Sequence, residues 1–179
     1  QHKTQEFYTV IANVQTAGKG QRGNTWESET GKNLLFSIVI YPTALEAKHQ
    51  FYLSMLTAVS IIEALENYTS GFNIKWPNDI YWDNKKIAGI LIENELQGKY
   101  ISQSIIGIGL NVNQESFLGD APNPISLKQI IGVDIDREEL FLKITKNIVA
   151  SYRLLEEDFE KMSSTLRILY LRKLFRRNG

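Results

Sequence analysis

Short β-rich runs alternate with longer stretches of helical period along this chain. Phe7 to Val14 is apolar and β-rich and predicts a strand. A glycine-rich segment, Gly18 to Gly23, follows it. Asn33 to Tyr41 predicts a second strand, stopped by Pro42. From Leu45 to Tyr68 the positions Leu53, Leu56, Val59, Ile62, Ala64 and Leu65 recur at helical spacing, predicting a long, largely buried helix. Asn73 to Trp76 predicts a short strand ended by Pro77. Lys86 to Glu95 and Tyr100 to Val112 are β-rich runs separated by Leu96-Gln97-Gly98-Lys99, the pattern of an antiparallel hairpin. Ser126 predicts the cap of a short helix to Ile131. Asp136, followed by Glu139, has the form of a capping box and opens a helix expected to reach about Met162. Ser163 or Ser164 then starts a last helix through Phe175. Hairpin strands with long helices between them predict an α+β (mixed α/β) fold, a largely antiparallel mixed sheet packed against helices.

The 179 residues suit one domain, 43% of them are apolar and 22% charged, so a packed core is expected rather than a disordered chain. Lys plus Arg equals Asp plus Glu, and the net charge of zero lacks the basic excess that non-specific nucleic-acid binding uses. There is no cysteine, which excludes disulfides, thiolate metal sites and a Cys nucleophile. It also fits a reducing compartment. The apolar runs, such as Leu34 to Tyr41, are too short to cross a bilayer. The polar start, Gln1 to Glu6, is not a signal peptide.

Three segments carry candidate chemistry. In Gln15-Thr16-Ala17-Gly18-Lys19-Gly20-Gln21-Arg22-Gly23-Asn24-Thr25-Trp26 the glycines let backbone N–H groups approach an anion, and Lys19 and Arg22 add charge to such a cradle. The spacing is not that of a Walker A loop or a Rossmann turn, and by pattern alone a surface loop without a ligand stays open. In Lys75-Trp-Pro-Asn-Asp79, Pro77 leaves Asn78 and Asp79 at a strand tip, where binding groups commonly sit, and Asp79 could help hold a divalent cation. Lys86, at the head of the next strand, reads by pattern alone as a solvated turn residue. Glycines in the strand Gly107-Ile-Gly-Leu-Asn-Val-Asn113 mark close approach by a ligand or backbone, with Asn111 and Asn113 expected on one face. A packed strand ending in an asparagine turn is the plain alternative.

In order and spacing, Gly-Lys-Gly-Gln-Arg-Gly-Asn-Thr-Trp, Lys-Trp-Pro-Asn-Asp, Lys-Lys-Ile-Ala-Gly-Ile-Leu-Ile-Glu and Gly-Ile-Gly-Leu-Asn-Val-Asn together resemble the biotin protein ligase family, from about residue 8 to residue 175. The resemblance implies an ATP-dependent ligase of the cytoplasm. Such an enzyme adenylates biotin to biotinyl-AMP and transfers the biotin to a lysine of a biotin carboxyl carrier protein. By matching position, Gln15, Thr16, Gly18, Lys19, Gly20, Gln21, Trp26 and Lys86 would bind biotin. Gln15 would bond the ureido ring, and Trp26 would form an apolar wall. Lys19, Arg22, Gly23, Asn24, Asn78, Asp79 and Asn111 would lie near ATP. Lys86 matches the family lysine that contacts the reacting carboxylate and phosphate. Mg2+ would neutralise the pyrophosphate, with Asp79 as its protein ligand. The family loop often reads Gly-Arg-Gly-Arg where this chain has Lys19 and Gln21, with Arg22 the neighbouring cation.

Residues 1–179 are expected to form a single catalytic-core domain, without the Ser-Thr segment of the biotin pocket and the small C-terminal β-barrel that family members carry. Rival readings are a lipoate ligase or octanoyl transferase on the same fold, a biotin-responsive repressor, or a plain interaction domain. The last could draw on Arg167, Arg172, Lys173, Arg176 and Arg177, which read more simply as the solvated face of the final helix. Because sheet edges can pair across two-fold axes, a homodimer is a further expectation.

Overall fold

Alternation along Leu34–Ile40 sets the architecture: Leu34, Phe36, Ile38 and Ile40 enter the core, while Ser37 and Val39 stay half-buried on the opposite face. A computed structural model describes residues 4–20, 25–119 and 123–175. The strands are β1 (Thr9–Ala12), β2 (Gly18–Lys19), β3 (Thr25–Trp26), β4 (Leu34–Ile40), β5 (Phe72–Lys75), β6 (Asp79–Trp82), β7 (Lys85–Gln97) and β8 (Tyr100–Leu110). Six of them form one sheet in the order β1-β4-β8-β7-β6-β5, and β2 pairs with β3 as a separate ribbon. Every strand pair among the described residues is antiparallel: the β7–β8 hairpin is as expected, and the sheet expected to be mixed has its parallel pairings only as isolated bridges.

The helices are α1 (Phe51–Leu65), α2 (Leu127–Ile131), α3 (Arg137–Glu157) and α4 (Phe159–Arg172). Helix α1 packs against α3, α4 and the strands β5, β6 and β7. Ten of its fifteen residues are buried, which makes it the central post of the core. Its buried Thr57 hydroxyl donates to the Leu53 carbonyl, whereas the buried Ser60 hydroxyl has no partner among the described residues. The sheet therefore has one face covered by helices and one face free to build a site.

Several boundaries differ from the sequence expectation. Strand β6 was not anticipated: Asp79–Trp82 pairs with β5 on one side and β7 on the other, so Pro77 lies in a hairpin turn and Asp79 opens a strand. The first long helix starts at Phe51, after a short 3-10 turn at Ala47–His49, not at Leu45. The division between the last two helices falls at Asp158 and not at Ser163 or Ser164. The Asp158 carboxylate accepts from the Lys161 N–H and caps α4, whereas Ser163 is buried inside α4 and donates to the Glu160 carbonyl. Asp136 caps α3 by accepting from the Glu138 and Glu139 N–H groups. The Glu139 side chain turns away to Lys143, so this is a one-sided cap. Ser126 and Gln129 do form a full capping box on α2. No helix among the described residues is long and apolar enough to cross a membrane.

Candidate functional site

The free face of the sheet carries a strip with almost no side chains. Gly89 on β7 pairs with Gly109 on β8, and one step along Leu91 pairs with Gly107, which pairs in turn with Ser37 on β4. Over this strip lies a cleft of about 690 Å³, closed above by the β2–β3 ribbon and at one end by the β5–β6 turn. The glycines exist for a visible reason. A Cβ on Gly109 would fall 2.6–2.9 Å from three atoms of the Trp26 indole, and one on Gly89 would lie 3.2 Å from the same ring. The indole rests on bare backbone, with its Nε1 buried and without a partner among the described residues. Gly18 is fixed by the same packing, since a Cβ there would lie 2.5 Å from the Trp26 carbonyl oxygen.

Lys86 stands at the edge of the strip. Its Nζ is 2.8 Å from Asp79 Oδ1, both side chains being about a quarter exposed, and 5.6 Å from the Trp26 ring centroid. A β-bulge between β6 and β7 at Ile80/Tyr81 shifts the register beside this pair. The backbone at Lys86 is held on its other side by Asn123 and Ile125, so the lysine is anchored and not a loose turn residue. Lys75 also lines the cleft, its Nζ 3.1 Å from the Tyr81 hydroxyl and 4.8 Å from the Tyr81 ring centroid. With Lys19, three lysines face two carboxylates, Asp79 and Glu93, and Lys86 already occupies Asp79. The cationic end of the cleft suits an anion and the strip beyond it suits an apolar group.

Of the residues singled out from sequence, the fold brings Gln15, Lys19, Gly20, Trp26, Asn78, Asp79 and Lys86 to this one cleft. Thr16 lies in the segment that leads into the ribbon, and Gly18 opens β2, paired with Trp26. Gln21, Arg22, Gly23 and Asn24 lie outside the described residues. Asn111 is placed differently: it is buried beyond the end of β8, and its side chain donates to the Ile125 carbonyl. Asn113 likewise ties the Ile135 backbone through both its amide groups. Because β8 ends at Leu110, strand alternation does not govern the two asparagines. Sequence reasoning missed Ser37 and Ile105, which reach the cleft only through strand register, and gave no role to Leu91 and Glu93 inside a quoted motif. Lys75 stood inside a motif but was given no role. No group of three His or carboxylate side chains that could cage a metal occurs among the described residues. A hard cation here would come with phosphate oxygens of its own.

Residues 1–111 match the model of the Biotin/lipoate A/B protein ligase family. The bifunctional ligase/repressor BirA of Bacillus spizizenii is 35% identical over 151 residues, covering 80% of this chain and 45% of that protein. A biotin–[acetyl-CoA-carboxylase] ligase of Paracoccus denitrificans is 33% identical over 139 residues, 73% of this chain and 56% of that protein. Among solved structures, a biotin protein ligase from Aquifex aeolicus in complex with biotin and ATP superimposes with a TM-score of 0.80 at 30% identity, covering 98% of this chain and 72% of that one. The chain spans about half the length of the curated relatives it matches.

Proposed function

The chain belongs to the biotin/lipoate A/B protein ligase family, and on that premise we propose that its cleft is the active site of an ATP-dependent biotin protein ligase. The observation that carries the reading is Lys86. It is an anchored cation, oriented by Asp79, at the junction between the polar end of the cleft and the glycine strip.

The first half-reaction joins two anions. The biotin carboxylate attacks the α-phosphorus of MgATP, an acyl–phosphate bond forms, and pyrophosphate leaves with the electron pair of the broken P–O bond. Bringing carboxylate and phosphate together without a cation is costly. A positive charge at about 4 Å from an anion is worth roughly 4 kcal/mol at an effective dielectric near 20. Lys86 supplies that charge where it is needed, and its ion pair with Asp79 keeps the ammonium oriented before substrate arrives. Lys19 and Lys75 add to the positive field. Mg2+ enters bound to the triphosphate as part of the substrate. Trp26 forms an apolar wall that shields the mixed anhydride from water. In the second half-reaction the amine of a carrier-protein lysine attacks the acyl carbon. An amide forms, AMP leaves, and the amine gives up a proton. On this reading the acceptor is a biotin carboxyl carrier domain and the enzyme works in the cytoplasm.

The test is pyrophosphate exchange by the complete protein with biotin and, separately, with lipoate. Biotin-dependent exchange is the expected result. Exchange with lipoate alone would overturn the assignment in favour of a lipoate ligase.

A further inference from the structure

The floor of the cleft holds a polar group with no task in the chemistry above. Ser37 is the one polar side chain in β4, whose sequence is otherwise Leu-Leu-Phe-Ser-Ile-Val-Ile. It sits on the face away from the core, lines the cleft, and pairs across the sheet with Gly107, itself paired with Leu91. Its Oγ would be 3.6 Å from a Cβ at Gly107, so it stands directly beside the bare backbone. Among the described residues its hydroxyl makes no side-chain hydrogen bond. A hydroxyl on an apolar floor, with no internal partner and a glycine beside it, is shaped for a partner that comes and goes.

Building on the biotin ligase reading, we propose that the Ser37 hydroxyl anchors the ring system of the acid substrate and selects a ring that can hydrogen-bond. The reacting carboxylate must lie at Lys86, whose Nζ is 3.5 Å from the Cβ position of Gly89. The Leu91–Gly107–Ser37 row is two residues further along the strands, roughly 7 Å. A chain of four methylenes spans that distance and sets the ring over Gly107, beside the Ser37 hydroxyl. A ureido ring carries both N–H donors and a C=O acceptor, and either can engage the hydroxyl. A dithiolane ring or a plain octanoyl tail carries neither, and would cover the hydroxyl while leaving it unpaired. Sites built to hydrogen-bond a substrate reject analogues that cannot, because the buried polar group is then stranded. Ser37 is thus a specificity-determining residue that separates a ureido acid from the apolar acids handled elsewhere in this family.

The experiment compares wild type, Ser37→Ala and Ser37→Thr in the complete protein. Pyrophosphate exchange is measured with biotin, and octanoate is tested as substrate or as competing inhibitor. For Ser37→Ala the KM for biotin is expected to rise about five- to ten-fold. Its kcat and its KM for ATP stay within about two-fold, and the preference for biotin over octanoate falls by the same factor as the KM rises. Ser37→Thr keeps the hydroxyl and suits a strand, so it retains the preference whatever its added methyl does to binding of both acids. An unchanged preference in Ser37→Ala, with wild type active on biotin, overturns the inference alone. A wild type inactive with biotin overturns the ligase reading, and this inference with it.

Discussion

The Trp26 indole lies on Gly109 with no room for a methyl group between them: a Cβ there would come within 2.6 Å of the ring. The contact joins the β2–β3 ribbon to the centre of the sheet, and it decides how deep the cleft is. Trp26 is carried by a two-stranded ribbon of two residues per strand, separate from the main sheet, whereas Gly109 is fixed between β4 and β7.

Gly109→Ala is therefore expected to displace the indole while leaving the sheet intact. Biotin-dependent pyrophosphate exchange should fall by about ten-fold or more, since misplacement of a ligand wall by about 1 Å costs that much or more. The melting temperature should move by only a few degrees. A variant with full activity would show that Trp26 does not bear on the ligand.

Lys86→Ala should lose adenylation by orders of magnitude, with only a small change in stability because the Lys86–Asp79 pair is partly exposed. Lys86→Arg should not restore the rate, since a planar guanidinium presents its donors differently from an ammonium. Burst measurement of biotinyl-AMP formation checks both. Asp79→Asn should give a smaller loss, about ten-fold, by releasing the ammonium without removing it.

Asp158→Ala removes the carboxylate that caps α4. A loss of about 1 kcal/mol is expected, read from urea unfolding with an unchanged m-value. Ser164→Ala, at the position where the sequence suggested a helix start, should be near neutral.

Burial pushes the Tyr170 phenol up to about 12 from its ordinary 10.0, and its hydroxyl has no partner among the described residues. The folded protein holds this proton more tightly than the unfolded chain. The associated stability is thus complete below pH 10 and is lost as pH rises from 10 through about 12. Tyr170→Phe should be at least as stable as wild type at pH 7, because an unpaired buried hydroxyl is removed. Its stability should also fall less steeply above pH 10. The Tyr152 phenol, raised by burial and by its hydrogen bond to the Glu156 carboxylate, titrates in the same direction and accounts for part of the remaining slope. Chemical unfolding at pH 7, 10 and 11 compares the two proteins.

What could be read from the residues alone follows the range of the interactions involved. Helix α1 and the β7–β8 hairpin were legible because their periods run over many residues and their turn, with Gly98 at φ 62°, is local. Strand β6 was hidden because it is four residues long and is defined by partners on both sides, not by its own pattern. The motifs located Lys86 and Trp26, but not the ion pair to Asp79 or the seat on Gly109, which need the register of three strands. Ser37 left no mark in the sequence. It becomes a site residue only because β4 pairs with β8, far along the chain. Asn111 was expected near ATP from its motif, and its side-chain amide fastens the chain at Ile125 from a buried position, a contact that only the fold reveals.

The sheet has a seam. Strands β5, β6, β7 and β8 follow one another as a meander of neighbours, and β1 with β4 makes a second unit. Among the described residues the β4–β8 ladder, extended by the Glu46–Tyr100 bridge, sews the two together across the intervening helix, and closing that long loop costs more chain entropy than any turn within the meander. The glycine strip straddles this seam, with Ser37 on one bank and Gly107, Gly109 and Leu91 on the other. The ladder is already closed in this structure, so a molecule lying from Lys86 to Ser37 would act as a clasp across that stitch, adding its binding free energy to the stability of the joined sheet.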